Sequence, residues 1–429
     1  TEIYTLSHTT LFRSCGRHPS GVSQVSTAAT RDDRGRVLIA GAGPVGMVAA
    51  LRLALAGVPV TVFERSADLT EDLRASTFHP PTLDMLAEFG LTDDLIAQGL
   101  IARHTQYRDR RTGVIAEFDM QLLAGETAHP YRLQCEQFKL TRLVHRRLAA
   151  FPDARVCFSA GIDAVEQHAD GVVVSVETPA GVERHAGAYL IGADGAWSRV
   201  RQALAIEFEG YTYPERFLVA STDHDFAAHM ERLSYVNYVS DPEEWCVLLR
   251  VPGLWRVLFP TRPDETDEEV LQDDPIQRRL QNLLPKQDGY RTEHRTLYRV
   301  HQRVARRYRA GRAFLAGDAA HINNPLGGMG MNGGLHDVLN LAQKLIAVHR
   351  GEADDASLDR YERQRRPIAI EYINASTARN KKALEERDAA ARARNHAEMR
   401  RTAEDPEAAR AFLRKSSMLE ALRASAAIS

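Results

Sequence analysis

The chain of 429 residues is 44% apolar with a formal net charge of −2, its 55 Lys and Arg nearly balanced by 57 Asp and Glu. That balance offers no basic surface to nucleic acid or to an anionic membrane, and no apolar run approaches the roughly 20 residues that span a bilayer. Cys15, Cys135, Cys157 and Cys246 stand far apart with no CxxC pair, so neither a disulfide framework nor a metal site is expected, and the chain reads as a cytoplasmic protein of one large or two medium domains.

Residues 1–35 lack a helical or strand period and lack the basic, apolar and small-residue order of a signal peptide. Their opening, TEIYTLSHTTLFRS, looks like translated sequencing-adapter read-through, and the segment is expected to be an artefact or a disordered extension. Organised sequence begins at Arg36. Arg36 to Ala40 predicts a buried parallel strand that leads into Gly41-Ala42-Gly43-Pro44-Val45-Gly46, after which Ala and Leu recur at helical spacing. Gly41 permits the tight turn, Gly43 lets backbone amides approach a pyrophosphate, and Gly46 lets helix and strand pack closely. A second apolar run ends at Glu64, 23 residues beyond Gly41, where such folds place the acid that holds a ribose hydroxyl. Both FAD and NAD carry an adenosine that meets this description.

Beyond Glu64, Pro80 to Phe89 predicts a helix closed by Gly90, and Gln106 to Asp109 with Val114 to Phe118 predicts a hairpin. Glu136 to Ala150 is an amphipathic helix, and Gly161 to Glu177 with the run around Gly181 forms a small antiparallel element. Tyr189 to Gly192 is a strand ending in the Asp194-Gly195 turn. From Phe208 to Arg299 short β-rich runs separated by polar turns predict one antiparallel sheet, rich in Tyr and Trp, as a second domain. Arg312 to Leu315 is again a buried strand, and it runs through Gly317-Asp318 into Asn324-Pro325-Leu326-Gly327-Gly328-Met329-Gly330-Met331-Asn332 and a helix. Glycines in that order let backbone lie against a ligand and point amides at it. Ser357 to Ser429 predicts solvated helices packed on one side.

Three separated signatures, GAGPVG with Glu64, GADGAWSRVR, and FLAGDAAHINNPLGGMGMN, resemble in order and spacing the single-component (class A) FAD-dependent aromatic monooxygenases related to p-hydroxybenzoate hydroxylase. The resemblance spans roughly Val37 to Pro367. It implies an α/β fold with a three-layer ββα Rossmann-like FAD-binding domain over 36–207 and 300–365, an inserted antiparallel β-sheet substrate domain over 208–299, and C-terminal helices over 366–429. It further implies that the Gly41 to Gly46 turn takes the FAD pyrophosphate and that Glu64, with Arg65 beside it, takes the adenosine ribose. Arg74 and Gln134 would touch the ribityl and phosphate region. Asp194 and Gly195, with Ser198 and Arg201, would serve FAD and the nicotinamide, Gly317 and Asp318 the ribityl chain, and Pro325, Gly328, Gly330, Met331 and Asn332 the isoalloxazine. Met329 departs from the Gln or Leu of many relatives. NADH or NADPH would reduce the flavin, and a C4a-hydroperoxyflavin would pass one oxygen of O2 to a small phenolic, amino- or heteroaromatic ring; a homodimer is compatible. Tyr235, Arg250 and His224 are the catalytic candidates on the substrate side, although the face that meets the flavin is not readable from alternation. Baeyer–Villiger or epoxidising chemistry is the alternative. Halogenase is disfavoured because Trp197, Trp245 and Trp255 form no Trp-x-Trp-x-Ile-Pro motif, and a lipid reductase because the tail is charged. A non-catalytic flavin-binding protein is the remaining alternative.

Overall fold

A computed structural model describes residues 35–429 except 72 and 74. The expectations for the N-terminal segment through residue 34 and for Arg74 lie outside the described residues. Six strands form the first sheet, in the order Arg309–Ala310, Ala313–Leu315, Tyr189–Gly192, Val37–Ala40, Val60–Phe63, Ala154–Cys157. All but the short Arg309–Ala310 edge pair are parallel. Every residue of Val37–Ala40, Val60–Phe63 and Tyr189–Gly192 is buried, as parallel strands covered on both faces require.

Two neighbouring residues of the first strand identify the covering layers. A Cβ on Gly46 of helix Pro44–Leu55 would lie 3.2 Å from Ile39, whereas one on Gly187 of strand Gly181–Gly187 would lie 2.6 Å from Leu38. Adjacent strand residues point to opposite faces, so the helix covers one side and the three-stranded antiparallel element Gly161–Gln167, Val172–Thr178, Gly181–Gly187 covers the other. The result is the expected ββα layering.

The second sheet has eight strands, in the order His321–Ile322, Thr292–Ala305, Phe208–Thr222, Leu254–Pro260, Cys246–Val251, Val236–Ser240, His104–Asp109, Gly113–Asp119. The expected hairpin is present, but it joins this sheet through a parallel pairing, Val236 opposite Thr105. The strands within 208–299 pair antiparallel, as expected, and the sheet becomes mixed only where this upstream hairpin joins it. A pairing-capable edge was left at Val236–Ser240, and the upstream hairpin satisfies its backbone groups.

Helix Asp273–Leu283 covers one face of this sheet, packing Ile276 and Leu280 against Leu218, Leu248, Trp255, Val257 and Phe259. The opposite face gathers Phe217, Val219, Val236, Tyr238, Val247 and Leu258 around Leu326 of the glycine-rich stretch. At the C-terminal end, helix Asp359–Ile368 contains Pro367 and passes into a π-turn, Ala369–Asn374, a widened turn that accommodates the missing N–H. Helix Pro406–Ser416, capped by Asp405, then brings Phe412 and Leu413 onto the hairpin. Among the described residues no helix is long and apolar enough to cross a membrane, and no cluster of His, Cys, Asp or Glu could hold a metal ion.

Candidate active site

The first half of the site is a backbone cradle. Gly41 adopts φ 97°, and a Cβ there would lie 2.5 Å from the Ala193 carbonyl oxygen; a Cβ on Gly46 would lie 2.0 Å from the Gly41 oxygen. Neither position tolerates a side chain. Gly43 instead opens on free space and caps the helix without a side-chain hydrogen bond. The first-turn amides thus face an open side, with the helix dipole behind them. Glu64 is fixed across this turn, accepting from the Ala42 amide through Oε2 and from the Ser66 amide through Oε1, both at 2.8 Å. Arg65 is exposed and lies over Gly161.

The Asp-Gly turn meets the cradle at Gly41, where an added Cβ would lie 3.0 Å from the Asp194 Cα, and the Gly-Asp turn meets it through Val45. A Cβ on Gly317 would meet Val45 at 3.0 Å, and one on Gly334 of helix Met329–His349 would meet Val45 at 2.7 Å and the Gly317 Cα at 2.8 Å. Asp318 is exposed at the rim. Asp194 accepts from Ser198 Oγ at 2.5 Å and the Val200 amide at 3.1 Å, which fixes the turn that Gly195, φ 79°, completes. Arg201 joins the two turns: its Nη1 donates to the Ala319 carbonyl at 2.9 Å, its Nη2 to Ala196 at 2.8 Å, and its guanidinium lies 3.9 Å from the Phe208 ring centre. Ser198 and Arg201 therefore act on the architecture of the turns.

The glycine-rich stretch is held from the opposite side by Thr77 to His79. Asn332 is fully buried; its Oδ1 accepts from the His79 amide at 3.0 Å, and its Nδ2 donates to Thr77 at 2.8 Å and Gly328 at 2.6 Å. Its side chain is consumed as a clamp, which leaves its backbone as the part that can face a ligand. Gly327 and Gly328 take φ 112° and 68°, and Gly328 begins the long helix, again without a side-chain cap. His79 Nε2 meets the Gly327 carbonyl at 2.8 Å. Burial, then the Arg132 charge, push the His79 pKa well down, so the ring is neutral. Gln134 accepts from Thr77 through Oε1, while its buried Nε2 has no partner among the described residues. These features, an open glycine N-terminus, a carboxylate fixed across the turn and a buried amide without a described partner beside the glycine stretch, fit a bound dinucleotide flavin.

Behind the cradle lies a charge network that sequence reasoning missed. Asp337 accepts from His321 Nε2 and Arg365 Nε, both at 2.7 Å, and from the Gly317 amide at 3.2 Å. Burial acts to raise the Asp337 pKa, but His321 and Arg365 outweigh it and hold the carboxyl down at about 2. The network ties the Gly-Asp turn to the long helix and to helix Asp359–Ile368. Its sequence signal is two charged residues at buried positions of helices, Asp337 and Arg365, with His321 on a short strand.

On the second sheet, register places Tyr107, Tyr238, Val247, Leu258 and Val219 on the face that Leu326 meets, with Arg256 on that face as well. Tyr107 and Tyr238 are stacked at 5.1 Å, and Arg256 donates to Ser76 Oγ at 3.1 Å. The three catalytic candidates are not there. Arg250 pairs with Trp255 and lies 5.5 Å over its ring, on the face covered by helix Asp273–Leu283. His224 stacks on His229 at 5.0 Å and edges Phe226 and Tyr290 in the same layer; burial, His229 and Lys286 lower its pKa. Tyr235, 39% exposed, shares the parity of Asn237 and Val239. The structure thus sets all three away from the glycine stretch, because the amphipathic helix claims their face.

The FAD binding domain family matches residues 34–376 of this chain. Para-nitrophenol 4-monooxygenase of Pseudomonas sp. strain WBC-3 is 34% identical over 380 residues, 88% of this chain and 94% of that protein. The 6-hydroxy-3-succinoylpyridine 3-monooxygenase of Pseudomonas putida strain DSM 28022 / S16 is 35% identical over 353 residues, covering 80% and 88%. Among solved structures, p-nitrophenol 4-monooxygenase from Pseudomonas putida DLL-E4 superposes with a TM-score of 0.85 at 34% identity, covering 91% of this chain and 98% of that one.

Proposed function

Because this chain belongs to the FAD-binding class A aromatic monooxygenases, we propose that it uses NADH or NADPH and O2 to insert one oxygen atom into a small hydroxylated arene. The observation that carries the substrate class is the face bearing Tyr107 and Tyr238, which stands against Leu326 of the glycine stretch and can stack a planar ring. Two relatives are named for phenolic or hydroxypyridine substrates, which supports a ring carrying an oxygen donor.

FAD is the cofactor. In this reading residues 36–207 and 300–365 carry it, and 208–299 with the hairpin His104–Asp109, Gly113–Asp119 carry the substrate. Gly41 to Gly46 and the helix amides hold the pyrophosphate, Glu64 the adenosine ribose, and Asp318 the ribityl chain. The Gln134 amide and the Gly327 to Asn332 backbone face the flavin ring, where aligned amides stabilise negative charge. When bound, FAD supplies the hydride acceptance and the O2 chemistry that no protein side chain can. The protein's own contribution is to orient the arene on the tyrosine face and to keep water from the reacting oxygen. Incubation with 18-O dioxygen and a panel of phenols, aminoarenes and ketones, followed by mass spectrometry, tests the proposal. One labelled oxygen is expected in a phenol. Label in a ketone-derived ester alone would replace hydroxylation by Baeyer–Villiger chemistry.

A further inference from the structure

Arg365 and Arg279 are buried arginines that each hold a carboxylate, Asp337 in one case, Glu244 and Glu265 in the other. Arg132 is as deeply buried, at 3% exposure, and makes no ion pair with a carboxylate among the described residues. Its Nη1 reaches the Tyr238 hydroxyl at 3.4 Å and its Nη2 the Ser416 carbonyl at 3.5 Å, both long, while its buried Nε has no acceptor among the described residues. Uncompensated guanidinium burial is costly, so the fold keeps this charge for an anion that arrives from outside.

Position indicates which anion. Arg132 and Gln134 share one side of strand Arg132–Gln134, so the guanidinium lies on the side of the orphaned Gln134 amide. It lies under Tyr238, on the sheet face that meets Leu326. The groups that face it are His79 from the turn before helix Pro80–Ala87, Tyr238 and Tyr107 from the sheet, and the Ser416 carbonyl from helix Pro406–Ser416. His79 is neutral for the reasons given, and burial, then Tyr238, push the Tyr107 hydroxyl well up, so it too stays neutral. Arg256 shares this sheet face but donates to Ser76, so the face is positive, and among the described residues no carboxylate pairs with Arg132.

We propose that Arg132 anchors an aryl oxyanion, the phenolate oxygen of the substrate, with the Tyr238 hydroxyl as second donor. This deepens, and rests on, the hydroxylase reading. On binding, the phenol O–H bond breaks, its proton passes to solvent, and the electron pair stays on the oxygen, where it enriches the ring carbons that accept an electrophilic oxygen. No redox change accompanies this step.

The test titrates FAD-loaded protein with 4-nitrophenol, 4-nitrobenzoate and uncharged 4-nitroanisole, reading the flavin spectrum and the visible absorption of 4-nitrophenolate. In the wild type, bound 4-nitrophenol should ionise at a lower pH than the free compound and bind more tightly than the other two. Arg132→Met should weaken 4-nitrophenol by about 30-fold, the scale of hydrogen bonds to a charged group, and leave 4-nitroanisole affinity and FAD content within about twofold. Arg132→Lys should recover part of the preference. Unshifted ionisation of bound 4-nitrophenol in the wild type overturns the proposal whether or not the variants fold. So do tighter binding of 4-nitrobenzoate, equal weakening of 4-nitrophenol and 4-nitroanisole, or loss of FAD in both folded variants, which would assign Arg132 to the cofactor. Failure of the hydroxylase reading looks different: no arene perturbs the wild-type flavin and no labelled oxygen is incorporated.

Discussion

In the cradle, the decisive contacts are close backbone approaches at Gly41, Gly46 and Gly334, each of which a single added carbon would violate. On the substrate face, Tyr107, Arg132 and Tyr238 come from three separate strands and touch through side-chain tips. The cradle therefore fails all at once, whereas the face should respond in steps. The same contrast governs legibility. Gly41 to Glu64 lies within one strand-turn-helix-strand unit, so spacing alone identifies the site. Tyr107 and Tyr238 meet only because a parallel pairing brings an upstream hairpin to a strand more than a hundred residues later.

Gly46→Val should break the cradle outright. Its first side-chain carbon would sit 2.0 Å from the Gly41 carbonyl oxygen, a clash with backbone that rotamer change cannot relieve. The expected product is a folded but colourless protein, measured by flavin absorbance after gel filtration. Full retention of FAD would show that the turn can shift. Asp318→Ala should have a smaller effect, weakening FAD without abolishing it, since its carboxylate is one contact at an exposed rim.

Next in size is the network behind the cradle. Arg365→Met leaves Asp337 with only His321 and the Gly317 amide in a fully buried position, and removing one partner of such a pair costs roughly 3–5 kcal/mol. Thermal melting and denaturant unfolding should both register it. The pH dependence has a definite sign: a folded-state pKa held at about 2, below the usual 3.8, contributes stability above pH 4 that is lost as pH falls toward 2. Asp337→Asn should flatten that acid limb; an unchanged limb would mean that other carboxyls govern it.

Phe412→Ala probes the wall of the substrate face. Phe412 stacks on Phe118 at 4.3 Å and edges Tyr107 at 5.9 Å, so its removal opens the pocket end that helix Pro406–Ser416 closes. A half-buried ring should cost roughly 2 kcal/mol, and more of the NAD(P)H consumed should end as peroxide because water reaches the site. Comparing oxygen uptake with hydroxylated product checks this. Unchanged coupling would place the closure elsewhere.

The smallest expected effects fall on the residues that alternation singled out. Strand parity was legible: Tyr235 with Asn237, and Arg250 opposite Trp245, Val247 and Leu249, are confirmed by the register. What alternation cannot supply is the sign of the face, because a strand pattern is symmetric until something covers one side. The covering element was itself in the sequence, as Asp273 to Leu283 with apolar Ile276, Leu280 and Leu283 at helical spacing. That helix buries the face of Trp255 and Leu248, which leaves the Tyr238 face toward Leu326 of the glycine stretch. Tyr235→Phe, His224→Ala and Arg250→Met should each therefore leave kcat and the substrate KM within about twofold, with Arg250→Met losing only roughly 0.5–1 kcal/mol of stability from its contact over Trp255. Tyr238→Phe, three residues from Tyr235 on the opposite face, should raise KM for a phenol several-fold with FAD content unchanged, since it removes one hydroxyl beside Arg132. A kinetic loss in Tyr235→Phe with none in Tyr238→Phe would reverse the assignment of faces.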